Sequence, residues 1–281
     1  MFCFIDWTPN IEVFHIGSLS IRWYSLLWCI GLIGAYYIVK KLYEEQHIPK
    51  DQVEKLFIYC FIGILAGARL GHCLFYEPNY FLGSGKGIIE MLLPIRFARD
   101  TWDLHFSGYS GLASHGGALG ILIAIIIYAK KNGLKFFTVM DNICISVPFT
   151  AGCIRLGNLM NSEIIGSPTD VAWGFIFHTN DALVNGQLVP RHPSQLYEAI
   201  AYFIILIVIV MIYKSNKRDV GTGFYFGFLL LTVFTFRFLI EYIKAEQVEF
   251  ERGMILDMGQ ILSIPFIVVG IYYTFRKKST E

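Results

Sequence analysis

The sequence predicts an all-α polytopic membrane protein with about seven transmembrane helices and a small extracytoplasmic head region. Three observations predict it. Hydrophobic residues make up 55% of the 281 positions and charged residues 16%, with a mean hydropathy of +0.53. Soluble domains average about 45–50% and about 25%. Apolar runs of about 20 residues, long enough to cross a bilayer, recur along the chain. Lysines and arginines collect at the ends of alternate runs, the asymmetry that sets orientation. The net charge of +1 carries no hint of nucleic acid, and the basic clusters are accounted for by topology.

The N-terminal stretch Met1 to Gly17 lacks a basic n-region and does not read as a cleaved signal peptide. The first segment, about Ser20 to Lys41, opens S-I-R-W-Y and carries Trp23, Tyr24 and Trp28 at positions suited to an interfacial aromatic belt. The second, about Val53 to Phe75, has Gly63, Gly67 and Gly71 at spacings of four, read as a stripe for close helix packing. Residues 76–111 form a long connection with Pro78, Pro94, Arg96, Arg99, Asp100, Asp103 and His105. A connection of that length is usually functional or a small subdomain.

The third segment, about Gly111 to Tyr128, opens S-H-G-G-A-L-G and is followed by Lys130 and Lys131. The fourth, about Phe137 to Cys153, contains Asp141, Asn142 and Pro148, and the proline is expected to kink or break it before Arg155. Residues 154–193 form a second extramembrane segment, with a short hairpin expected between about Trp173 and Val189. It closes with R-H-P-S-Q-L-Y-E, and Pro193-Ser194 suits a helix start. The fifth segment is about Ser194 to Tyr213, the sixth about Thr222 to Tyr242, and the seventh about Met254 to Phe275.

Lys40, Lys41, Lys130, Lys131, Lys135, Lys214, Lys217, Arg218, Arg276, Lys277 and Lys278 follow segments one, three, five and seven. Basic ends face the cytoplasm, which puts the N-terminus outside and the C-terminus inside. The chain 1–281 then forms one integral membrane domain, with extracytoplasmic loops at about 76–110 and 154–193. Cys3, Cys29, Cys60, Cys73, Cys144 and Cys153 form no CxxC and no cluster with histidine, and most lie in apolar runs. They read as small buried hydrophobes, so neither a metal nor a cofactor is expected.

Polar groups in membrane segments cost free energy unless paired or used. Four such groups stand out, and the predicted topology brings each toward the outer half of the membrane: Tyr24 beside Arg22, His115, the Arg155 to Gly166 stretch, and Arg237 with Glu241. A guanidinium stays charged and presents a fork that fits phosphate oxygens, so Arg155 and Arg237 suit a phosphodiester clamp. The bland alternative pairs Arg237 with Glu241 one turn on and lets Arg155 snorkel to the interface. Asn158, Asn161 and Glu163 beside Arg155 favour the clamp.

His115, followed by two glycines that leave its surroundings open, suits a base that takes a proton from a thiol or hydroxyl; a hydrogen-bonded structural histidine is the alternative. His192 is a second candidate, and Tyr24 either orients a headgroup or sits in the belt. No Walker A, G-x-S-x-G or H-E-x-x-H motif is present in the sequence.

At these residues the sequence resembles the bacterial phosphatidylglycerol–prolipoprotein diacylglyceryl transferases over most of its length. The resemblance rests on S-I-R-W-Y at 20–24, G-A-R-L-G at 67–71, H-G-G at 115–117, R-L-G-N-L-M-N-S-E-I-I-G at 155–166, R-H-P-S-Q-L-Y-E at 191–198 and R-F-L-I-E at 237–241. The combination in this order is specific, although each piece alone is weak. Leu159, Met160 and Ser162 depart from the Phe, Ile and Gly or Ala common in the family, without touching an ionisable position.

The resemblance implies transfer of a diacylglyceryl group from phosphatidylglycerol to the lipobox cysteine of a preprolipoprotein, forming a thioether and releasing glycerol phosphate. It implies partners that are membrane lipids and lipobox signal peptides, a place in the bacterial inner membrane, and no cofactor. Carried onto this sequence, it makes His115, Arg155 and Arg237 catalytic candidates. Tyr24, Asn158, Asn161, Glu163, Gly166, His192 and Glu241 become substrate-binding candidates, with Glu163 holding Arg155 and Glu241 orienting Arg237. Glu163, His192 or a tyrosine stand as alternatives to His115 as the base.

A transporter would also place Arg, Asn and Glu within membrane segments. The sequence shows no internal repeat, and the charged groups gather toward one face rather than the midplane. A structural subunit would have no need of two arginine sites.

Overall fold

The computed structural model describes residues 4–16, 19–93, 95–97, 104–106, 111–245 and 256–276. Cys3, Pro94, Arg99, Asp100, Asp103, Lys277, Lys278 and the expected start of the last segment at Met254 lie outside them. In chain order the elements are β1 (Ile5–Trp7), β2 (Glu12–Ile16), β3 (Leu19–Arg22), α1 (Trp23–Glu45), α2 (Asp51–Phe75), α3 (Pro78–Leu82), α4 (Gly85–Leu92), β4 (Ile95–Phe97) and β5 (Leu104–Phe106). They continue with α5 (Ser114–Lys131), α6 (Phe136–Met160), β6 (Phe175–Phe177), β7 (Leu183–Val184), β8 (Gln187–Leu188), α7 (Ser194–Lys214), α8 (Phe224–Ile240) and α9 (Met258–Phe275).

Among the described residues, six helices are long and apolar enough to span a bilayer: α1, α2, α6, α7, α8 with its short 3-10 extension to Ile243, and α9. The chain is therefore a multi-pass, mainly α-helical membrane protein. The expected third segment is helical as α5, but Ser114 and His115 at one end and Lys130 and Lys131 at the other shorten its apolar body, and it is not among the six. Outward faces are apolar: Ile33, Tyr37, Ile62, Ile207, Met211 and Val268 are all exposed. Asp141, Asn142, Ser194, Gln195, Glu198 and Ser263 are fully buried. That inversion is what a lipid solvent selects.

Three boundaries differ from expectation. Ser20 to Arg22 form a strand paired with β2, so the first helix begins at Trp23. The helix α6 continues through Pro148 to Met160, so Arg155, Gly157 and Asn158 belong to its final turns rather than to a loop. The strand β6 pairs in parallel with β1 instead of closing a hairpin. The hairpin is the smaller β7–β8, turned by Asn185 and Gly186, both at positive φ.

The chain divides into two compact units. The first comprises Met1–Glu45 and Met140–Glu281. Within it Asp141 of α6 accepts hydrogen bonds from the N–H groups of Gly221, Gly223 and Phe226 at 2.9, 2.9 and 3.0 Å. One carboxylate thus satisfies backbone donors that the start of α8 leaves unpaired. Small residues set the other approaches: Gly31 meets Thr150, and Gly227 meets the backbone of α9 at Tyr273 and Thr274.

The second unit is Gln46–Val139. Here Gly63, Gly67 and Gly71 of α2 face Gly116 and Gly120 of α5; a β-carbon on Gly67 would lie 2.3 Å from the Gly116 carbonyl. The glycine stripe is a helix-packing surface, as its spacing predicts. The former long connection folds against this pair. Arg69 donates to the Glu90 carbonyl at 2.8 Å, and the Glu90 carboxylate accepts from the Tyr80 hydroxyl at 2.6 Å and the Phe97 N–H at 2.7 Å.

A buried charge cluster at a strained helix end

The polar end of α6 is built on an unusual turn. Ser162 and Ile164 both have positive φ, 55° and 56°. For a β-branched residue that conformation costs on the order of 1–3 kcal/mol and persists only when neighbours hold it. Two fully buried side chains at the start of α7 hold it. Gln195 donates to the Glu163 carbonyl at 2.5 Å, and Ser194 donates to the Ile164 carbonyl at 2.7 Å. Neither residue was a candidate from the sequence, although both belong to the R-H-P-S-Q run.

The same turn orders the amides. Asn158 donates to one Glu163 carboxylate oxygen at 3.0 Å and Asn161 donates to the other at 3.1 Å. Gly166 then crosses two other segments. Its N–H donates to the His192 carbonyl at 3.0 Å, Ser167 N–H donates to Ile243 at 2.9 Å, and Ala245 N–H donates to Ile165 at 3.2 Å. A β-carbon on Gly166 would lie 2.4 Å from the His192 oxygen and 2.9 Å from the Ile243 oxygen. Here glycine is required by close backbone approach. Arg191, buried, donates to the carbonyls of Gly166 and Ala182, both at 3.1 Å. Its role is to pin backbone, which a lone arginine in the sequence does not announce.

Arg155 does not pair with Glu163, as the sequence suggests. Its Nε lies 3.2 Å from Glu198 of α7, whose carboxylate is fully buried. The other Glu198 oxygen accepts from Lys244 Nζ at 3.2 Å, and Lys244 also donates to Glu241 at 3.3 Å. The result is an alternating chain, Arg155–Glu198–Lys244–Glu241. The expected partnership of Glu241 with Arg237 is replaced: Glu241 turns to Lys244, and Arg237 makes no ion pair among the described residues. The reason is geometric, since the 3-10 turn at Glu241 to Ile243 brings Lys244 back onto the carboxylate.

Tyr202, one turn beyond Glu198 on α7, hydrogen-bonds Arg155 and lies within electrostatic reach of Arg237. Both arginines therefore act electrostatically on this residue, Arg155 more strongly than Arg237. The Arg155 side chain is 14% exposed, and with Nε turned to Glu198 its terminal nitrogens are left for Tyr202 and a ligand. Tyr24, in the first turn of α1, packs its ring on Gly157, where a β-carbon would lie 2.9 Å away. This contact sets Tyr24 against the last two turns of α6, two residues along from Arg155.

His192 lies beside this cluster, its Nδ1 3.3 Å from the Tyr197 hydroxyl, which also accepts from the Trp173 indole at 2.7 Å. Burial pushes the His192 imidazole below its ordinary value. His115 belongs to the second unit, exposed in the first turn of α5. The space beside it differs from expectation: Gly116 is filled by the backbone of Gly67 and Gly71, so that glycine serves packing rather than substrate approach.

Lys244, Tyr202 and Glu198 are the functional candidates sequence reasoning missed. Lys244 stands three residues after Glu241, a spacing that can be read as an ion pair. Tyr202 carries no comparable signal.

A family model described as prolipoprotein diacylglyceryl transferase matches residues 11–276. The phosphatidylglycerol–prolipoprotein diacylglyceryl transferase of Bacteroides fragilis is 49% identical over 281 residues, covering 99% of this chain and 98% of its own. That of Tolumonas auensis is 39% identical over 266 residues, covering 94% of each. That of Vibrio cholerae is 35% identical over 268 residues, covering 94% of this chain and 90% of its own.

Proposed function

This chain belongs to the prolipoprotein diacylglyceryl transferase family, and from that premise we infer that it moves the diacylglyceryl group of phosphatidylglycerol to prolipoprotein, the first step of lipoprotein maturation. The acceptor is the thiol of a lipobox cysteine in the signal peptide. The carbon–oxygen bond between diacylglycerol and phosphate breaks, a carbon–sulfur bond forms, and glycerol phosphate leaves.

The observation that carries the reading is the buried chain Arg155–Glu198–Lys244–Glu241 at the end of α6, beside the contact of Tyr24 with Gly157. As the bond to phosphate breaks, negative charge grows on the phosphate oxygen. Fixed cations aimed at that oxygen in a low-dielectric site stabilise the transition state. Arg155, its Nε paired with Glu198, offers its terminal nitrogens to the phosphate; Arg237 supplies the second cation. Asn158 and Asn161, ordered by Glu163, face the glycerol headgroup, and Tyr24 closes over Gly157. Gly166 and Glu241 shape the site from the crossing segments, and His192 lies at its margin. The thiol must lose its proton, since the thiolate is the nucleophile. His115 takes that role, and no cysteine of this chain is needed.

The chain acts as a single transferase domain in the bacterial inner membrane; with α5 taken as a seventh crossing beside the six, the N-terminus lies outside and the C-terminus in the cytoplasm. The basic residues toward the C-terminal ends of α1, α5 and α7 and just beyond them support that orientation. A cytoplasm-specific reporter fused to the C-terminus is expected to be active; silence would reverse the topology. The function is tested by mixing the purified full chain with phosphatidylglycerol and a lipobox peptide. A diacylglyceryl mass increment on the cysteine is expected. Its absence across several detergents would shift the assignment to transport.

A further inference from the structure

We propose that Lys244 and Glu198 are positioning residues that leave the arginine cluster with one formal positive charge, matched to a monoanionic phosphodiester. This rests on the transfer reaction inferred above. The geometry is an unbroken line: Arg155 Nε to Glu198 at 3.2 Å, Glu198 to Lys244 at 3.2 Å, Lys244 to Glu241 at 3.3 Å. Glu198 is fully buried and the Lys244 side chain is 4% exposed. Burying charges is costly, and replacing such pairs by apolar residues is often neutral or stabilising. A purely structural scaffold therefore has no need of four charges at the end of three helices.

The charge balance supplies the need. Arg155, Arg237 and Lys244 are three cations, and Glu198 and Glu241 are two carboxylates. Within this chain of contacts one positive charge is left over; the Glu163 carboxylate stands outside it, exposed and held by the Asn158 and Asn161 amides. The surplus charge resides at the arginines, because Lys244 is held by a carboxylate on either side while Arg237 has no ion-pair partner among the described residues. A phosphodiester carrying a single negative charge neutralises the group, whereas a neutral headgroup leaves it unbalanced. Glu198 also fixes which edge of the Arg155 fork is spent on protein. With Nε facing Glu198, the two terminal nitrogens are not spent on that carboxylate.

Equilibrium binding of fluorescent phosphatidylglycerol to the detergent-solubilised full chain, with competition by unlabelled lipids, tests this beside the transfer assay. Lys244→Met removes the surplus charge and is expected to weaken phosphatidylglycerol binding about tenfold or more. Lys244→Arg is expected to stay within about threefold of the parent. The double variant Lys244→Met/Glu241→Gln restores one surplus charge and is expected to recover most of the lost affinity. Binding by Lys244→Met within twofold of the parent, or a double variant no better than the single, would overturn the proposal. A scaffold role alone predicts the double to be at least as impaired.

If Lys244→Met fails to run as a folded species on gel filtration, Glu241→Gln decides. It raises the surplus to two and should shift competition toward doubly charged phosphatidic acid over phosphatidylglycerol by about tenfold; an unchanged preference overturns the proposal. A parent protein that shows these lipid preferences but transfers nothing to the peptide would refute the transferase reading and leave the charge match standing.

Discussion

Replacing Gly166 with alanine adds a single methyl group at the point where three chain segments cross. Its β-carbon would lie 2.4 Å from the His192 carbonyl oxygen, 2.6 Å from the His192 β-carbon and 2.9 Å from the Ile243 oxygen. Two of those neighbours are backbone oxygens, which cannot rotate aside as a flexible side chain can. Relief requires the 162–168 turn to move away from both partners by a large fraction of an ångström. Overpacking of this kind costs about 1–3 kcal/mol. The motion also strains the hydrogen bonds from Gly166 and Ser167 N–H and the one from Arg191 to the Gly166 carbonyl, each worth about 1 kcal/mol. Complete loss of all three would bring the total to about 4–6 kcal/mol of local stability.

The functional loss is expected to be larger than the stability loss implies. Glu163, Asn161 and the Ile243–Lys244 segment move with the turn, and a misplacement of about 1 Å can cost about 100-fold in rate. The assay is diacylglyceryl transfer to a lipobox peptide, run beside thermal unfolding in the same detergent. Gly85→Ala is the matched control, since its β-carbon meets nothing within 4 Å. Transfer by Gly166→Ala within threefold of Gly85→Ala, at an unchanged unfolding midpoint, would refute the reasoning.

Four further outcomes are expected. Arg155→Lys keeps the charge but loses the planar fork that engages Glu198 and a ligand together, and should lower transfer by about tenfold to 100-fold; a rate near that of the parent would remove Arg155 from the phosphate site. Asp141→Ala strands the Gly221, Gly223 and Phe226 N–H donors and should cost about 2–5 kcal/mol, seen as a lower midpoint in thermal unfolding. His115→Gln should lower turnover far more than phosphatidylglycerol binding, and equal retention of both would make His115 a scaffold residue. For His192, whose folded value is depressed by burial, the unfolded chain takes up the proton first as pH falls below about 6.5. Its contribution to stability is therefore complete above that pH and lost on acidification toward the folded value. His192→Gln should flatten the decline of the unfolding midpoint with acid in that window.

Much of the fold was legible because a membrane imposes a length and a polarity on each helix, and both can be read along the chain. The Gly63, Gly67 and Gly71 stripe announced the α2–α5 contact for the same reason: residues four apart share a helix face. The end of the fourth helix was not legible. Pro148 weighs against a continuous helix locally, yet α6 runs on to Met160. Pairing partners were harder still. Arg155 to Glu198, Lys244 to Glu198 and β6 to β1 join residues whose proximity depends on how segments return to one another.

By itself, the sequence determined the membrane class, the segments, the family and the residues where polar chemistry is concentrated, because composition, periodicity and motif order are properties of the chain. Only the tertiary structure decided what those residues touch. It gave Arg155 to Glu198 rather than Glu163, and turned Glu241 to Lys244 rather than Arg237. It also set Tyr202 within reach of Arg155 and made Gly166 a crossing point of three segments. Charge and hydrogen-bonding capacity are written locally. Which carboxylate finds which cation is set by distances of a few ångströms between helices, and those exist only once the helices have packed.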